Sequence, residues 1–471
     1  MKAWLADDDT GPHDPRTWAR DRWFWAAIVL GLAARVVPMI LWPQVDCIRD
    51  ECIYTDMARD ILAGQGLTTS NKGWLPSPGY PWLLAAMKAG FGSMQAVKAI
   101  QVTLSLVSVG LAYGITLDLA GAQGRRAARI AALLFALNPT IAWFTNTMWI
   151  ETIYIFFLLA SAAWMMVARG RGSILGSAGS GAMLGGAILF RGVATYLPPL
   201  WVLAAIYPFD GDWAAAARGR WRHAVAMVAA AVIVVTPYSI YGSRKYGGFM
   251  VTDATVGHVL YLGNNDFPPL TFDYGIGMLT QPLFGRYLAT GRPPCRRDVP
   301  PVRSSKCEVQ AAVGWMKDHP TTFAARVPVR VAQLMNPNSF LTRHVRWGYW
   351  DEFPWYLKEA LVVTIIGFSI ALGWAGTLSA WAHARGPYAM MAVGTTLYTV
   401  FTISLMYGMT RFRLPLEALW TPYLALFLAD PRGTFDALRA TPWRLAGAAL
   451  SLPPLVALTL WYLPTGFPVI W

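Results

Sequence analysis

Apolar runs of roughly 18 to 22 residues recur along the whole chain, and nothing else in the sequence constrains the fold as strongly. A run of that length is enough to cross a bilayer as a helix. Only 14% of the residues are charged while 55% are hydrophobic, against about 25% charged in an ordinary soluble domain. The chain therefore reads as an all-α polytopic membrane protein. The first run contains Arg35 and lacks a small-residue cleavage site after it, so it reads as a span rather than a cleaved signal.

Charge fixes the orientation. Arg16, Arg20 and Arg22 precede the first run, and Arg125, Arg126, Arg129, Arg169, Arg171, Arg218, Arg220 and Arg222 fall in alternate short loops. The positive-inside rule puts these loops and the N-terminus in the cytoplasm. About 11 spans result, at about 23–42, 95–119, 128–145, 149–167, 174–190, 194–208, 223–242, 355–381, 388–406, 414–429 and 445–463. The net charge of +13 is then a property of loop topology and of anionic lipid or phosphate partners. The sequence shows no nucleic-acid-binding module. Three regions are expected: a membrane module over 1–242 that includes an outer loop at 43–94, an extracytoplasmic loop domain over 243–354, and C-terminal transmembrane helices over 355–471. Within the loop domain, helical pieces are expected near Glu308–Lys317 and Thr321–Leu334.

The outer loop 43–94 holds the densest chemistry. Asp46, Asp50 and Glu51 stand beside Arg49, and Glu51, Tyr54, Ala58, Ile61 and Leu62 recur at helical spacing before Gly64 and Gly66. That pattern predicts a short amphipathic helix on the outer face. A second is expected over 81–91, after the turn Pro76-Ser77-Pro78-Gly79-Tyr80-Pro81. Asp50 and Glu51 suit general-base work on a hydroxyl acceptor. They equally suit the first turn of a helix, where acids are favoured. Glu151 opens another apolar span, with the same two readings. Paired with Asp50 it would offer oxygens to a hard divalent cation such as Mg or Mn.

Further along, Arg191, Arg411 and Arg413 lie at span ends on the same expected face. Arginine suits bidentate phosphate recognition, while a single arginine at a span end often only snorkels to headgroups. Gly257 to Asp266 mixes glycine, His258, Asn264 and Asn265. It reads either as a sugar-hydroxyl contact or as a turn built from its usual residues. His258 alone reads as structural. Cys295 and Cys307 are a candidate disulfide if their loop faces an oxidising compartment. Cys47 and Cys52 lie in the first loop, and neither pair has zinc-module spacing. No P-loop is present, so a nucleotide donor is not indicated.

Taken in order, Arg49-Asp50-Glu51, Tyr54, Ala58-Arg59, Gly64-Gln65-Gly66 and Pro78-Gly79-Tyr80-Pro81 resemble the first outer loop of the GT-C glycosyltransferases. The likeness is to the branch of protein O-mannosyltransferases and the lipid A aminoarabinose transferase. Trp149-Ile150-Glu151-Thr152 is similar to that branch's second acidic position, Gly263-Asn264-Asn265 to the start of its large outer loop, and Arg411-Phe412-Arg413-Leu414-Pro415 to its late Arg-x-Arg-Leu-Pro signature.

The resemblance implies a GT-C fold and inverting transfer of a sugar from a polyprenyl-phosphate donor. The acceptor would be a hydroxyl of a cell-envelope glycan, glycolipid or protein. Asp50 would be the general base, with Glu51 in support and Glu151 lining the acceptor pocket or a cation site. Arg191, Arg411 and Arg413 would hold the donor phosphate, and Tyr54, His258, Asn264 and Asn265 would contact substrate. The short outer domain points to a bacterial enzyme of the inner membrane, acting on its periplasmic face. A polyprenyl-lipid flippase and a non-catalytic assembly subunit are the competing classes. A flippase would bury charges at mid-span in paired broken helices, and a subunit would have no need of Asp50.

Overall fold

The computed structural model describes residues 18, 20–41, 43, 47, 50–67, 75–121, 124–208, 213–266, 295, 299–338, 341–342, 345 and 354–466. Asp46 and Arg49, and residues 267–294 of the expected loop domain, lie outside them. The described residues form helices and no strand. In chain order the first half runs α1 (Arg22–Leu41), α2 (Asp50–Leu62), α3 (Gly79–Phe91), α4 (Val97–Ala120), α5 (Gly124–Leu137), α6 (Pro139–Phe144), α7 (Glu151–Arg171), α8 (Ile174–Phe190) and α9 (Pro198–Ile206). The second half runs α10 (Trp213–Lys245), α11 (Val256–Gly263), α12 (Pro301–Asp318), α13 (Pro320–Met335), α14 (Trp355–His383), α15 (Gly386–Leu405), α16 (Leu414–Ala429), α17 (Pro431–Arg439) and α18 (Pro442–Gly466).

Among the described residues, seven helical stretches are long and apolar enough to cross a membrane: Arg22–Leu41, Met94–Ala120, Glu151–Arg171, Gly219–Lys245, Trp355–His383, Gly386–Leu405 and Pro442–Trp461. The chain is a multi-pass membrane protein. The other four expected spans fall on shorter apolar helices: α5 with α6, then α8, α9 and α16. The first of these breaks at Asn138-Pro139. Proline has no N–H to continue the ladder, and Asn138 Oδ1 instead caps the new helix, accepting from the N–H groups of Thr140 at 3.0 Å and Ile141 at 3.1 Å. α16 is buried on nearly every side, as a helix apolar all round should be, and packs against α4, α5, α7 and α14.

Close packing of α8 on α10 depends on small residues. A Cβ on Gly181 would run into the Met227 carbonyl, and one on Gly185 into the Val234 side chain. Small faces of this kind let two helices approach in lipid. α7 and α8 form an antiparallel pair. The start of α7, Glu151, and the end of α8, Arg191, therefore meet at one end of the bundle.

The outer loop follows the pattern read from its residues. α2 runs from Asp50 to Leu62, and Gly64 and Gly66 both take positive φ, 76° each, a backbone that favours glycine. α3 starts at Gly79, two residues before the expected Pro81. Two disulfides are present. Cys295 pairs with Cys307, the candidate pair, and Cys47 pairs with Cys52. In the segment 243–354 the two expected helical pieces appear as α12 and α13, and α13 docks on α15.

Candidate functional site

Four charged side chains from four elements converge at this end of the bundle. Asp50 opens α2, Glu151 opens α7, Arg191 follows the last residue of α8, and Arg411 sits in the 3-10 turn Thr410–Arg413 that leads into α16. Arg411 is the hub. Its Nη1 donates to Asp50 Oδ2 at 2.9 Å, and its Nε stands 2.8 Å from Glu151 Oε1. Arg191 Nη1 lies 3.7 Å from the same Oε1. The acids occupy helix N-termini, where the macrodipole favours negative charge, and Arg191 occupies a C-terminal end, where it favours positive charge. Helix chemistry and a shared site therefore describe the same residues here.

Exposure separates the two acids. The Asp50 side chain is 39% exposed, while that of Glu151 is 0% and those of Arg411 and Arg191 are 10% and 11%. Glu151 is the buried anchor, and Asp50 is the member that a solvent-borne hydroxyl can reach. Among the described residues Glu151 Oε2 is buried without a hydrogen-bond partner. Aromatic rings wall the cluster. The Arg411 guanidinium lies 4.2 Å from the Trp149 ring centre, and that of Arg191 lies 5.3 Å from Tyr154 and 5.4 Å from Phe412. Burial alone would pull the Arg411 guanidinium down, but Glu151 and Asp50 outweigh it and hold the group above the usual arginine range. Burial raises the hydroxyls of Tyr54 and Tyr407, both electrostatically coupled to the cluster.

Glu51 diverges from Asp50, as neighbours on a helix must. It is fully buried, and its Oε1 accepts from the Met148 N–H at 2.9 Å. That contact supports the irregular segment 145–150, which presents Trp149 and Glu151. Gln101 supports the same segment from α4. Its Nε2 donates to the carbonyls of Thr147 at 2.7 Å and Thr145 at 3.1 Å, and its Oε1 accepts from Tyr80 at 2.8 Å. Non-helical backbone buried in a membrane protein needs this kind of replacement bonding. Tyr54 packs edge-on to Tyr80, ring centres 5.4 Å apart.

The remaining candidates stand elsewhere. Arg413 turns away from the cluster: its Nε pairs with Glu417 at 3.0 Å, Nη1 donates to the carbonyls of Leu334 and Asn336, and Nη2 donates to Ser369. Asn264 closes the end of α11. Its Nδ2 donates to the carbonyls of Leu260 and Leu405, and its Oδ1 accepts from Arg330. Asn265 Nδ2 donates to the Tyr261 carbonyl at 2.7 Å, and His258 Nδ1 is 3.7 Å from Glu308. These contacts join the segment after α10 to α13 and α15.

Sequence reasoning missed four residues near the cluster: Trp149, Gln101, Tyr407 and Asp253. Asp253 is half-buried, accepts from Ser77 at 3.1 Å and from the Thr255 hydroxyl at 3.1 Å, and lies so close to Gly192 that a Cβ there would collide with it. It ties the turn before α3 to the residue after Arg191. Gln101 carried a signal, an amide inside an apolar span, whereas Asp253 had none in its local pattern.

Comparison with solved structures places the architecture. The archaeal oligosaccharyltransferase AglB of Archaeoglobus fulgidus, determined with an inhibitory peptide and a dolichol-phosphate, matches with a TM-score of 0.51 at 16% identity, over 93% of this chain and 55% of that one. This chain has the GT-C fold. It spans about half the length of that oligosaccharyltransferase. ArnT of Cupriavidus metallidurans, bound to undecaprenyl phosphate, also aligns with this chain, at 15% identity over 87% of this chain and 77% of that one, with a TM-score of 0.39. No protein-family model and no curated protein matches the chain.

Proposed function

We propose that the protein is an integral-membrane inverting glycosyltransferase. It moves a sugar from a polyprenyl-phosphate donor to a hydroxyl of a cell-envelope acceptor. The observation that carries this reading is the Arg411 clamp between buried Glu151 and part-exposed Asp50. The GT-C fold supports it, since the AglB structure that it resembles holds a dolichol-phosphate.

In this reading the acceptor oxygen attacks the anomeric carbon of the sugar while its proton passes to the Asp50 carboxylate. The bond from the anomeric carbon to the phosphate oxygen breaks, and the electron pair leaves with the polyprenyl phosphate. That leaving group is already an anion, so fixed positive charge helps it more than a strong acid would. Arg191 and Arg411 supply that charge beside the reacting centre. Glu151 holds both arginines in place, and Glu51 holds the backbone from which Glu151 projects. Arg413, with its guanidinium bonded to Glu417, Ser369 and two carbonyls, is assigned to the support of α16 rather than to the phosphate. The two disulfides suit loops that face an oxidising compartment, in keeping with a site on the periplasmic face of a bacterial inner membrane.

The test is sugar transfer in reconstituted membranes from a panel of polyprenyl-phosphate sugars, wild type against Asp50→Asn. Transfer by the wild type alone, with the variant folded, is the expected result. Equal transfer by both proteins, or none from any donor, overturns the assignment.

A further inference from the structure

Two carboxylates from separate elements, converging at the end of a membrane bundle, invite a divalent cation. Mg would gather such oxygens at about 2.0–2.1 Å, and Mg or Mn would complete its shell with water and phosphate. The residues around Asp50 and Glu151 do not fit one. The space between the two acids is filled by a guanidinium, with one nitrogen 2.9 Å from Asp50 and another 2.8 Å from Glu151. The plane of Arg411 thus sets the separation of the acids. Trp149 stacks on it at 4.2 Å and holds it there. Arg191 adds a second positive charge 3.7 Å from Glu151. Among the described residues the cluster's two acids and two arginines balance, so a dication would find no negative charge left over among them. Among the described residues no group of three or more His, Cys, Asp or Glu is arranged to hold a metal.

We propose that Arg411 takes the place of a divalent cation in this site, so that sugar transfer needs no metal. Arg411 does three things that a bound cation would do. It draws Asp50 and Glu151 together, it neutralises them, and it presents fixed positive charge where a phosphate leaves. A guanidinium also remains charged under all working conditions, so the site keeps its charge balance when divalent ions are scarce. Glu151 Oε2 is buried and has no hydrogen-bond partner among the described residues. One carboxylate oxygen beside two guanidinium groups does not hold a metal.

The inference rests on the glycosyltransferase reading for its catalytic meaning, but its first test does not. The purified full-length protein is dialysed against Mn²⁺, freed of excess, and its metal content is measured by mass spectrometry. The wild type should retain far less than one ion per chain. Arg411→Ala, which opens the space between the two acids, should bind Mn²⁺ with a resolved electron paramagnetic resonance signal that Arg411→Ala/Asp50→Asn loses. Where transfer is measurable, chelator should change the wild-type rate by less than about 2-fold. One tightly held ion per wild-type chain overturns the proposal, whether or not a donor has been found. So does transfer that chelator abolishes and Mn²⁺ restores. Absence of transfer from every donor, with the wild type metal-free and Arg411→Ala binding Mn²⁺, would defeat the glycosyltransferase reading and leave the charge substitution standing.

Discussion

Arg411 and Arg413 stand two residues apart on one turn and serve different ends. Both pair with a buried glutamate, Arg411 with Glu151 and Arg413 with Glu417. Around Arg413 the remaining donors go to backbone carbonyls and a serine hydroxyl, and Glu417 receives Asn138 at 3.4 Å as well. Around Arg411 the second partner is a part-exposed acid from a distant helix, the packing is aromatic, and a carboxylate oxygen of Glu151 is left over. One pair is closed on the fold, and the other keeps a part-exposed acid, Asp50, at its edge. Counting arginines near a face would treat the two alike. What distinguishes them is where the last hydrogen bond goes.

That contrast orders the expected effects of substitution. The largest belongs to the open pair. Asp50→Asn should lower sugar transfer by about 10²- to 10⁴-fold, the range of a lost general base, with the melting temperature nearly unchanged. A comparable loss of stability without loss of rate would make Asp50 a helix cap and nothing more. Next comes the closed pair. Arg413→Gln leaves Glu417 charged and buried, which costs about 3–5 kcal/mol, and should appear as a large drop in melting temperature. At a temperature where the variant is folded, its KM for the donor should equal that of the wild type. A selective rise in that KM would return Arg413 to the phosphate site.

Two smaller effects probe how the open pair is held. Cys47→Ser with Cys52→Ser should cost about 2 kcal/mol, the loop entropy of so short a ring, and should lower the turnover rate more than it raises the donor KM. A double variant with full turnover would show that α2 needs no tether. The smallest effect concerns Asp253, whose carboxyl burial raises above its usual range against the opposing bonds of Thr255 and Ser77. A raised acid stabilises the fold while protonated, and that contribution is lost as pH climbs through its folded value. Between acid and neutral pH the wild type should therefore lose melting temperature relative to Asp253→Asn. A wild type that gained on the variant would mean the charged form is the favoured one.

Much of the fold was legible because the membrane imposes length and polarity on each segment. The eleven apolar stretches each landed on a helix or helix pair, and the glycines after Leu62 ended α2 as their conformational freedom suggests. The acids Asp50 and Glu151 and the arginines Arg191 and Arg411 were legible as charges at span ends. Their mutual contact was not, because it depends on which way a 3-10 turn faces. The Arg411-Phe412-Arg413 motif gives no local reason for its first arginine to face the cluster and its second to face away. The roles of Glu51 and Gln101 were hidden for a different reason. Both satisfy backbone in the segment 145–150, and the need for them arises only once Pro139 has broken the helix before it. Asn264 and Asn265 read from composition as sugar contacts or as turn residues alike, and their amides donate to carbonyls of α11 and of α15.

The bond between Asp50 and Arg411 joins residues 361 positions apart. In synthesis the loop that carries Asp50 emerges before Arg411, with most of the described helices between them. Closing so long a loop has to follow the insertion of what lies between. Until then Asp50 and Glu151 have neither the arginine between them nor the wall completed by Phe412. A chain that stops short of Arg411 holds both acids and no clamp, so the charge balance of the cluster is set by the turn that leads into α16.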